Sequence, residues 1–372
     1  MAILSQPPRH ILIGVTAFFL VVCFLLFTPR STNLHLNTIG RNSASRAPPA
    51  SSSKTDRPYG KEYKGQASPV DVNRVANESL GFEKIFVVGL PERSDKRDAI
   101  ALTSSLTGFQ VEWVDGVKGE TVPDKAVPFE DLGSALIMED DMDWDVRLKP
   151  QLERVAQGAR ALLSSASNPN SPYGDDWDLM WLGHCGEVFP EMLDENKEKP
   201  DTDPGVRYMS RKFVIEKDLT VPPKDRVTGL VDFKNSPEFT RWVHITGAPI
   251  CTFAYALSQR GARKVLYDLS VDHLTGPFDN ALAGLCRRAV STWGVKDPEI
   301  AGDRGLDAKC ISVTPPVFFH HKAKGLLNGD SDIQTVQDGQ VREKGQTENI
   351  VWSARNNIRN MIMGTRMESQ YE

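Results

Sequence analysis

Five carboxylates stand within seven residues at Glu139-Asp140-Asp141-Met142-Asp143-Trp144-Asp145. Carboxylates this crowded repel one another unless something positive neutralises them. A hard divalent cation, Mg²⁺ or Mn²⁺, does so with oxygen ligands and commonly keeps a substrate phosphate in its shell. Residues two apart on an extended segment face the same way, so Glu139 and Asp141 can serve one ligand while Asp140 faces another. The competing reading is a solvated acidic turn in which Asp145 caps the next helix. Position favours chemistry. The cluster directly follows the apolar run Ser134–Met138, and ligands of open α/β sheets gather at the carboxyl ends of strands.

The surrounding pattern supplies such a sheet. The run 84–90 (KIFVVGL) reads as a buried parallel strand ended by Pro91, and a helix is expected after it to about Leu106. The segments 109–114, 134–138, 177–182, 250–257 and 310–319 read as further strands. From Asp145 to Leu163, Val146, Leu148, Leu152, Val155, Ala159 and Leu162 share one stripe of a helix. A second helix is expected over Ser258 to Asp268 with Ser258 as its N-cap. Strands alternating with helices imply a mainly parallel sheet of Rossmann type with helices on both faces.

The chain has 372 residues and an ordinary globular composition, with a net charge of −5, so no electrostatic footprint for nucleic acid is present. Residues 11–27 (ILIGVTAFFLVVCFLLF) carry no charge and reach the short end of a membrane span. They are expected to form a transmembrane signal-anchor, with residues 1–10 as a cytosolic tail. Residues 28–80, rich in Ser, Pro, Ala and Arg, read as a disordered stem. One globular domain is expected over 81–330, and 331–372 as a polar, partly helical tail. This organisation implies a single-pass protein of the Golgi or ER membrane with a lumenal domain, touching the membrane through residues 11–27. Asn77-Glu78-Ser79 is a glycosylation sequon where stem meets domain.

Several segments together carry a resemblance: KIFVVGLPERSDKR, SALIMEDDMDWDVRLKPQL, WDLMWLGHCGE, GAPICTFAYALSQRGARKVL, PFDNALAGLCR and PPVFFHH, in this order from about Lys84 to Ile333. The set resembles glycosyltransferase family 25, the lipopolysaccharide glycosyltransferases and procollagen galactosyltransferases, in its fungal branch. The resemblance implies a GT-A fold, a UDP-sugar donor, Mn²⁺ (or Mg²⁺) dependence, a glycan or glycoprotein acceptor and transfer of a hexose such as galactose with inversion. It places the D-x-D motif at Glu139-Asp140-Asp141, with Asp141 on the metal and Glu139 toward the nucleotide ribose or the metal's water shell. Asp143 is an alternative ligand, since Asp141-Met142-Asp143 is itself D-x-D. His320 or His321, ending the last strand, would complete the metal site. Arg93 and Arg97 would face the nucleotide, or else form a solvated helix start. Asp279, and after it Asp272, would be the carboxylate that takes the acceptor proton, although each could be a helix cap. His184 is expected at the sheet rim, and Trp181 and Trp242 in packing rather than on sugar.

Four cysteines lie outside the apolar run, which permits two disulfides in an oxidising compartment. Three pairings are possible, and proximity in the chain favours Cys185–Cys251 with Cys286–Cys310. One departure from the family stands out. The stretch from Gly116 to Ser134 is short and lacks the Gly-Cys-x-x-Ser-His-like helix of family members. A non-catalytic glycan-binding or assembly subunit that has lost part of the donor pocket is therefore the alternative function.

Overall fold

Apolar residues on both sides of each central strand require cover on two faces, and the fold supplies it. The structure is a computed structural model that describes residues 73–116, 132–163, 171–229, 233–272, 276–291, 306–327 and 340–371. The apolar run 11–27, nearly all of the stem and most of the 116–134 connection lie outside the described residues. Among the described residues no helix is long and apolar enough to cross a membrane.

In chain order the strands are β1 (Lys84–Gly89), β2 (Glu112–Asp115), β3 (Ser134–Glu139), β4 (Met142–Trp144), β5 (Leu179–Gly183), β6 (Lys212–Ile215), β7 (Arg241–Ile245), β8 (Ala254–Ser258), β9 (Cys310–Thr314), β10 (Phe318–Lys322), β11 (Gly325–Leu326), β12 (Val341–Arg342) and β13 (Gln346–Thr347). The helices are α1 (Ser94–Thr107), α2 (Leu148–Leu163), α3 (Pro204–Met209), α4 (Gln259–Leu266), α5 (Phe278–Ser291) and α6 (Ile358–Met363). The central sheet runs β2-β1-β3-β8-β5-β9-β7-β6. β1, β2, β3, β5, β6 and β9 point one way, and β7 and β8 the other. The result is a mixed α/β domain on a large, mostly parallel sheet, compatible with a Rossmann-like arrangement. The reversed strands are a finding the sequence pattern does not carry, because a buried strand is an apolar run in either direction.

Strand alternation divides the core in two. Ile85, Val87, Leu136, Met138, Met180 and Leu182 point to one face, where Ile100 of α1 and Leu148, Leu152, Val155 and Ala159 of α2 cover them. Phe86, Ala135, Ile137, Leu179 and Trp181 point to the other, under Ala262 and Val265 of α4 and Leu282, Leu285 and Ala289 of α5. Ser258 caps α4 as expected, its side chain accepting from Gly261 N. The expected single strand over 310–319 is two strands. Pro315 and Pro316 lack backbone donors and end β9, and β10 leaves the main sheet to pair with β4 and β13.

The segment 331–372 was expected beyond the domain. Its described part is instead woven into it. β13 pairs with β10, Asp145 bridges Ser353, and Ala354 N donates to Trp144 O. A short helix, α6, does occur there.

Both disulfides form in the pairing favoured by proximity. Cys185–Cys251 closes a separation of 66 residues and Cys286–Cys310 one of 24. Cys286–Cys310 ties α5 to β9. Restricting the unfolded chain over the shorter loop is worth about 3 kcal/mol. Replacing Cys286 and Cys310 together by Ala should lower the unfolding free energy by about that amount in a urea titration, and a loss under ~1 kcal/mol would remove this account.

Candidate functional site

The acidic run begins where the parallel pair β1 and β3 ends. β3 terminates at Glu139, Asp140 and Asp141 turn the chain, and β4 carries it back along β10. Gly89 closes β1 beside this turn. A Cβ there would lie 2.4 Å from Asp140 Oδ2, so only glycine lets the two strand ends approach.

The cation beside the turn comes from α1. Lys96 Nζ lies 3.2 Å from Asp140 Oδ1 and 3.6 Å from Asp141 Oδ2, and all three side chains are largely shielded from water. The two arginines singled out in sequence are engaged elsewhere. Arg93 holds Asp95 through two bonds of 2.9 Å. Arg97 pairs with Asp115, donates to the carbonyls of Gly89 and Leu90, and stacks over Trp113, tying the ends of β1 and β2 together. A second cation arrives from the C-terminal segment. Arg355 donates to Met142 O and Asp140 O at 2.9 Å each, and its backbone N–H donates to Asp143 Oδ1 at 3.1 Å.

The four residues expected at a metal divide into two groups. Asp143 is fully buried and saturated: Thr347 Oγ1 donates to Oδ2 at 2.6 Å, Ser353 Oγ donates to the same oxygen, and Trp144 N and Arg355 N donate to Oδ1. His321 joins this network through Thr347 Oγ1 at 2.8 Å and approaches Asp143 to 3.5 Å. Burial opposes charge on Asp143, but His321, Ser353 and Thr347 outweigh it and hold the pKa below the ordinary value. Asp143 and His321, expected as metal ligands, are engaged in this network. Their polar atoms serve to fasten residues 347–355 under the acidic turn.

Asp141 and His320 form the other group. The register that sets Met142 opposite His320, with His321 N donating to Asp141 O, brings the imidazole alongside. His320 Nε2 pairs with Asp141 Oδ2 at 3.2 Å, and the buried Asp141 Oδ1 has no hydrogen-bond partner among the described residues. Burial opposes charge on both residues, yet their mutual attraction wins, aided at Asp141 by Lys96 and Arg355. Asp141 is held below its ordinary pKa and His320 above its own. Glu139 accepts from Thr252 Oγ1 at 3.0 Å, and burial, followed by the Asp141 charge, pushes it up to about 7.

The buried Asp141 Oδ1 without a hydrogen-bond partner among the described residues fits a hard cation that takes few protein ligands and completes its shell with water and phosphate, with His320 already 3.2 Å from the other oxygen. Among the described residues no group of three or more His, Cys, Asp or Glu forms a complete ligand set. Lys96 already supplies one positive charge at the same carboxylate.

Asp279 lies in the first turn of α5, where Oδ2 accepts from Cys251 N at 3.2 Å and Oδ1 from Asn280 N. It sits inside the helix rather than at its cap. Cys251 and Thr252 are neighbours, so Asp279 and Glu139 are fastened to adjacent residues. Asp272 ends the turn Tyr267–Asp272, and its side chain lies outside the described residues. Trp181 packs on Tyr255, and Trp242 between Phe189 and Phe233, both in the interior.

His184 and Glu187 follow β5 in a buried polar layer. His184 Nε2 meets Val313 O at 3.1 Å, and burial pulls its pKa down to about 4. Glu187 Oε1 accepts from Val188 N and Ala248 N, and burial, which outweighs Ser312 and these N–H groups, pushes the carboxyl up to about 7.

Lys96, Thr252, Thr347, Ser353 and Arg355 are the residues that sequence reasoning missed. Lys96 alone left a signal. It shares the buried stripe of α1 with Ile100, Thr103 and Ser104, an odd place for a lysine without a partner. No family model and no curated protein matches the chain.

Two measurements test this arrangement. Lys96→Met leaves buried carboxylates uncompensated and should cost about 3–5 kcal/mol in urea unfolding, while Lys96→Met with Asp140→Asn should recover a large part of it. Additive losses would show that the ion pair is not the cause. For Glu187 the folded pKa of about 7 stands above its ordinary 4.5. The carboxyl's contribution is present below about pH 4.5 and is lost as pH rises through 7. Glu187→Gln should therefore gain on the parent by about 1.4 kcal/mol per pH unit across that window, and a gap that does not change with pH would contradict it.

Proposed function

We propose that this chain is a membrane-anchored glycosyltransferase with a GT-A-like fold. It moves a hexose, galactose in the first instance, from a UDP-sugar to a hydroxyl of a glycan or glycoprotein, with inversion. The observation that carries this reading is Asp141 at the end of β3, with one oxygen on His320 and the other, buried, without a hydrogen-bond partner among the described residues. A divalent cation bound there would act as a Lewis acid on the departing diphosphate.

The chain's own groups take the remaining roles. Glu139, steadied by the hydroxyl of Thr252, accepts from a ribose hydroxyl. Lys96 contributes a fixed positive charge at the diphosphate end, the part first assigned to Arg93 and Arg97. Asp279 takes the proton of the acceptor hydroxyl as its oxygen attacks the anomeric carbon and the bond from that carbon to the diphosphate oxygen breaks. The apolar run 11–27 and the two disulfides support a Golgi or ER membrane location with the domain in the lumen.

The test is release of UDP from UDP-galactose in the presence of Mn²⁺. Asp141→Ala, shown to be folded by its urea midpoint, should lose about 10²-fold or more in turnover. Equal turnover in parent and variant refutes the role of Asp141. The second reading, a non-catalytic glycan-binding or assembly subunit, is favoured by Lys96 standing at Asp140 and Asp141 and by the short 116–134 connection. It expects no heat of UDP binding in calorimetry with Mn²⁺, whereas the enzyme reading expects saturable binding.

A further inference from the structure

We infer that Asn77 is a site of N-linked glycosylation, the acceptor of a preassembled oligosaccharide from a lipid diphosphate carrier. The inference is independent of whatever chemistry occurs at Asp141.

Asn77-Glu78-Ser79 is the one place where this chain has Asn-x-Ser or Asn-x-Thr with x other than Pro. Such triplets arise by chance, so the fold has to be consulted. Asn77 follows the short turn Asn73–Ala76 and is exposed, while Val75 and Leu80 on either side are fully buried. Tyr173 donates its hydroxyl to Leu80 O at 2.8 Å and fixes the segment from below. Within the turn Asn77 Oδ1 accepts from Ser79 N and Gly81 N at 2.9 Å each. All the hydrogen bonding therefore falls on the carbonyl side of the amide. Nδ2 has no partner among the described residues, so it can carry a bulky substituent without breaking a bond of the fold. The Ser79 hydroxyl donates to Phe82 O at 2.5 Å and lies 3.2 Å from the same amide oxygen.

Compartment is the second, independent observation. Two disulfides join four cysteines across α5, β9 and the loops after β5 and before β8. Pairs of this kind persist in the oxidising lumen, where oligosaccharide transfer also occurs. In the transfer, Asn77 Nδ2 bonds to the anomeric carbon of the oligosaccharide. The bond from that carbon to the diphosphate oxygen breaks, the lipid diphosphate leaves and the amide gives up one proton. The host's oligosaccharide transferase catalyses the step.

The full chain, produced in a eukaryotic secretory host, tests this. Peptide-N-glycosidase should lower its mass by one oligosaccharide and convert Asn77 to Asp in the tryptic peptide Val75–Lys84. Ser79→Ala keeps both backbone bonds to Asn77 Oδ1 and should abolish the shift. Ser79→Thr should retain it, and Asn77→Gln should abolish it. A chain whose mass does not respond to the glycosidase overturns the inference, as does a shift that survives Ser79→Ala. UDP-galactose turnover by the Ser79→Ala protein is a separate readout, so loss of the glycan and failure of the proposed activity are distinguishable.

Discussion

Everything at the end of β3 depends on keeping five carboxylates together in a place poor in water. At an effective dielectric of about 20, two like charges roughly 4 Å apart cost about 4 kcal/mol, comparable with much of the net stability of a domain. The fold answers with charges of opposite sign and with oriented donors. Lys96 meets Asp140 and Asp141, Arg147 meets Asp145, and Arg355 brackets the turn through the carbonyls of Asp140 and Met142. Hydroxyls and backbone N–H groups take up Asp143. Four distant parts of the chain converge for this purpose, so the turn cannot form without the fold.

The neutralisation is uneven. Asp143 accepts from four donors and has no remaining use for a ligand. Asp141, two residues earlier, has one oxygen against Lys96 and His320, and the other has no hydrogen-bond partner among the described residues. The twofold alternation of β4 and β10 assigns the histidines accordingly, His321 to the saturated carboxylate and His320 to the open one. A fully satisfied network fixes one geometry and resists change, whereas an unsatisfied buried oxygen is costly unless a ligand repays it.

Much of this was legible in the sequence, for reasons that can be named. The strands around KIFVVG, SALIM and WDLMWL were readable because both of their faces are buried, and the helix 148–163 because its stripe is wide. The acidic cluster and its place at a strand end were readable because they are contiguous. What contiguity does not encode was lost. Arg355 lies 215 residues from the carbonyl of Asp140 that it binds, and nothing in its neighbourhood announces the contact. Direction was lost as well, since β7 and β8 have the composition of parallel strands. Within Glu92–Arg97 the charge run hid a distinction that helical phase reveals. Lys96 faces the core with Ile100, while Arg93 and Arg97 reach acidic partners at Asp95 and Asp115.

The same convergence restricts how Glu139 and Asp279 can move relative to each other. Glu139 is held by the hydroxyl of Thr252 and Asp279 by the N–H of Cys251. Cys251 is bonded to Cys185, and Glu139 N donates to Phe253 O. Residues 251–253 thus form a strap three residues long, pinned covalently at one end and continuing directly into β8. A shift of α5 that carries Asp279 must pull on Cys251, and through it on the support of Glu139. Two carboxylates 140 residues apart in sequence are in this way referred to one rigid segment. Reactions that require a donor and an acceptor at fixed separation depend on such rigidity, because small displacements of reacting groups cost large factors in rate.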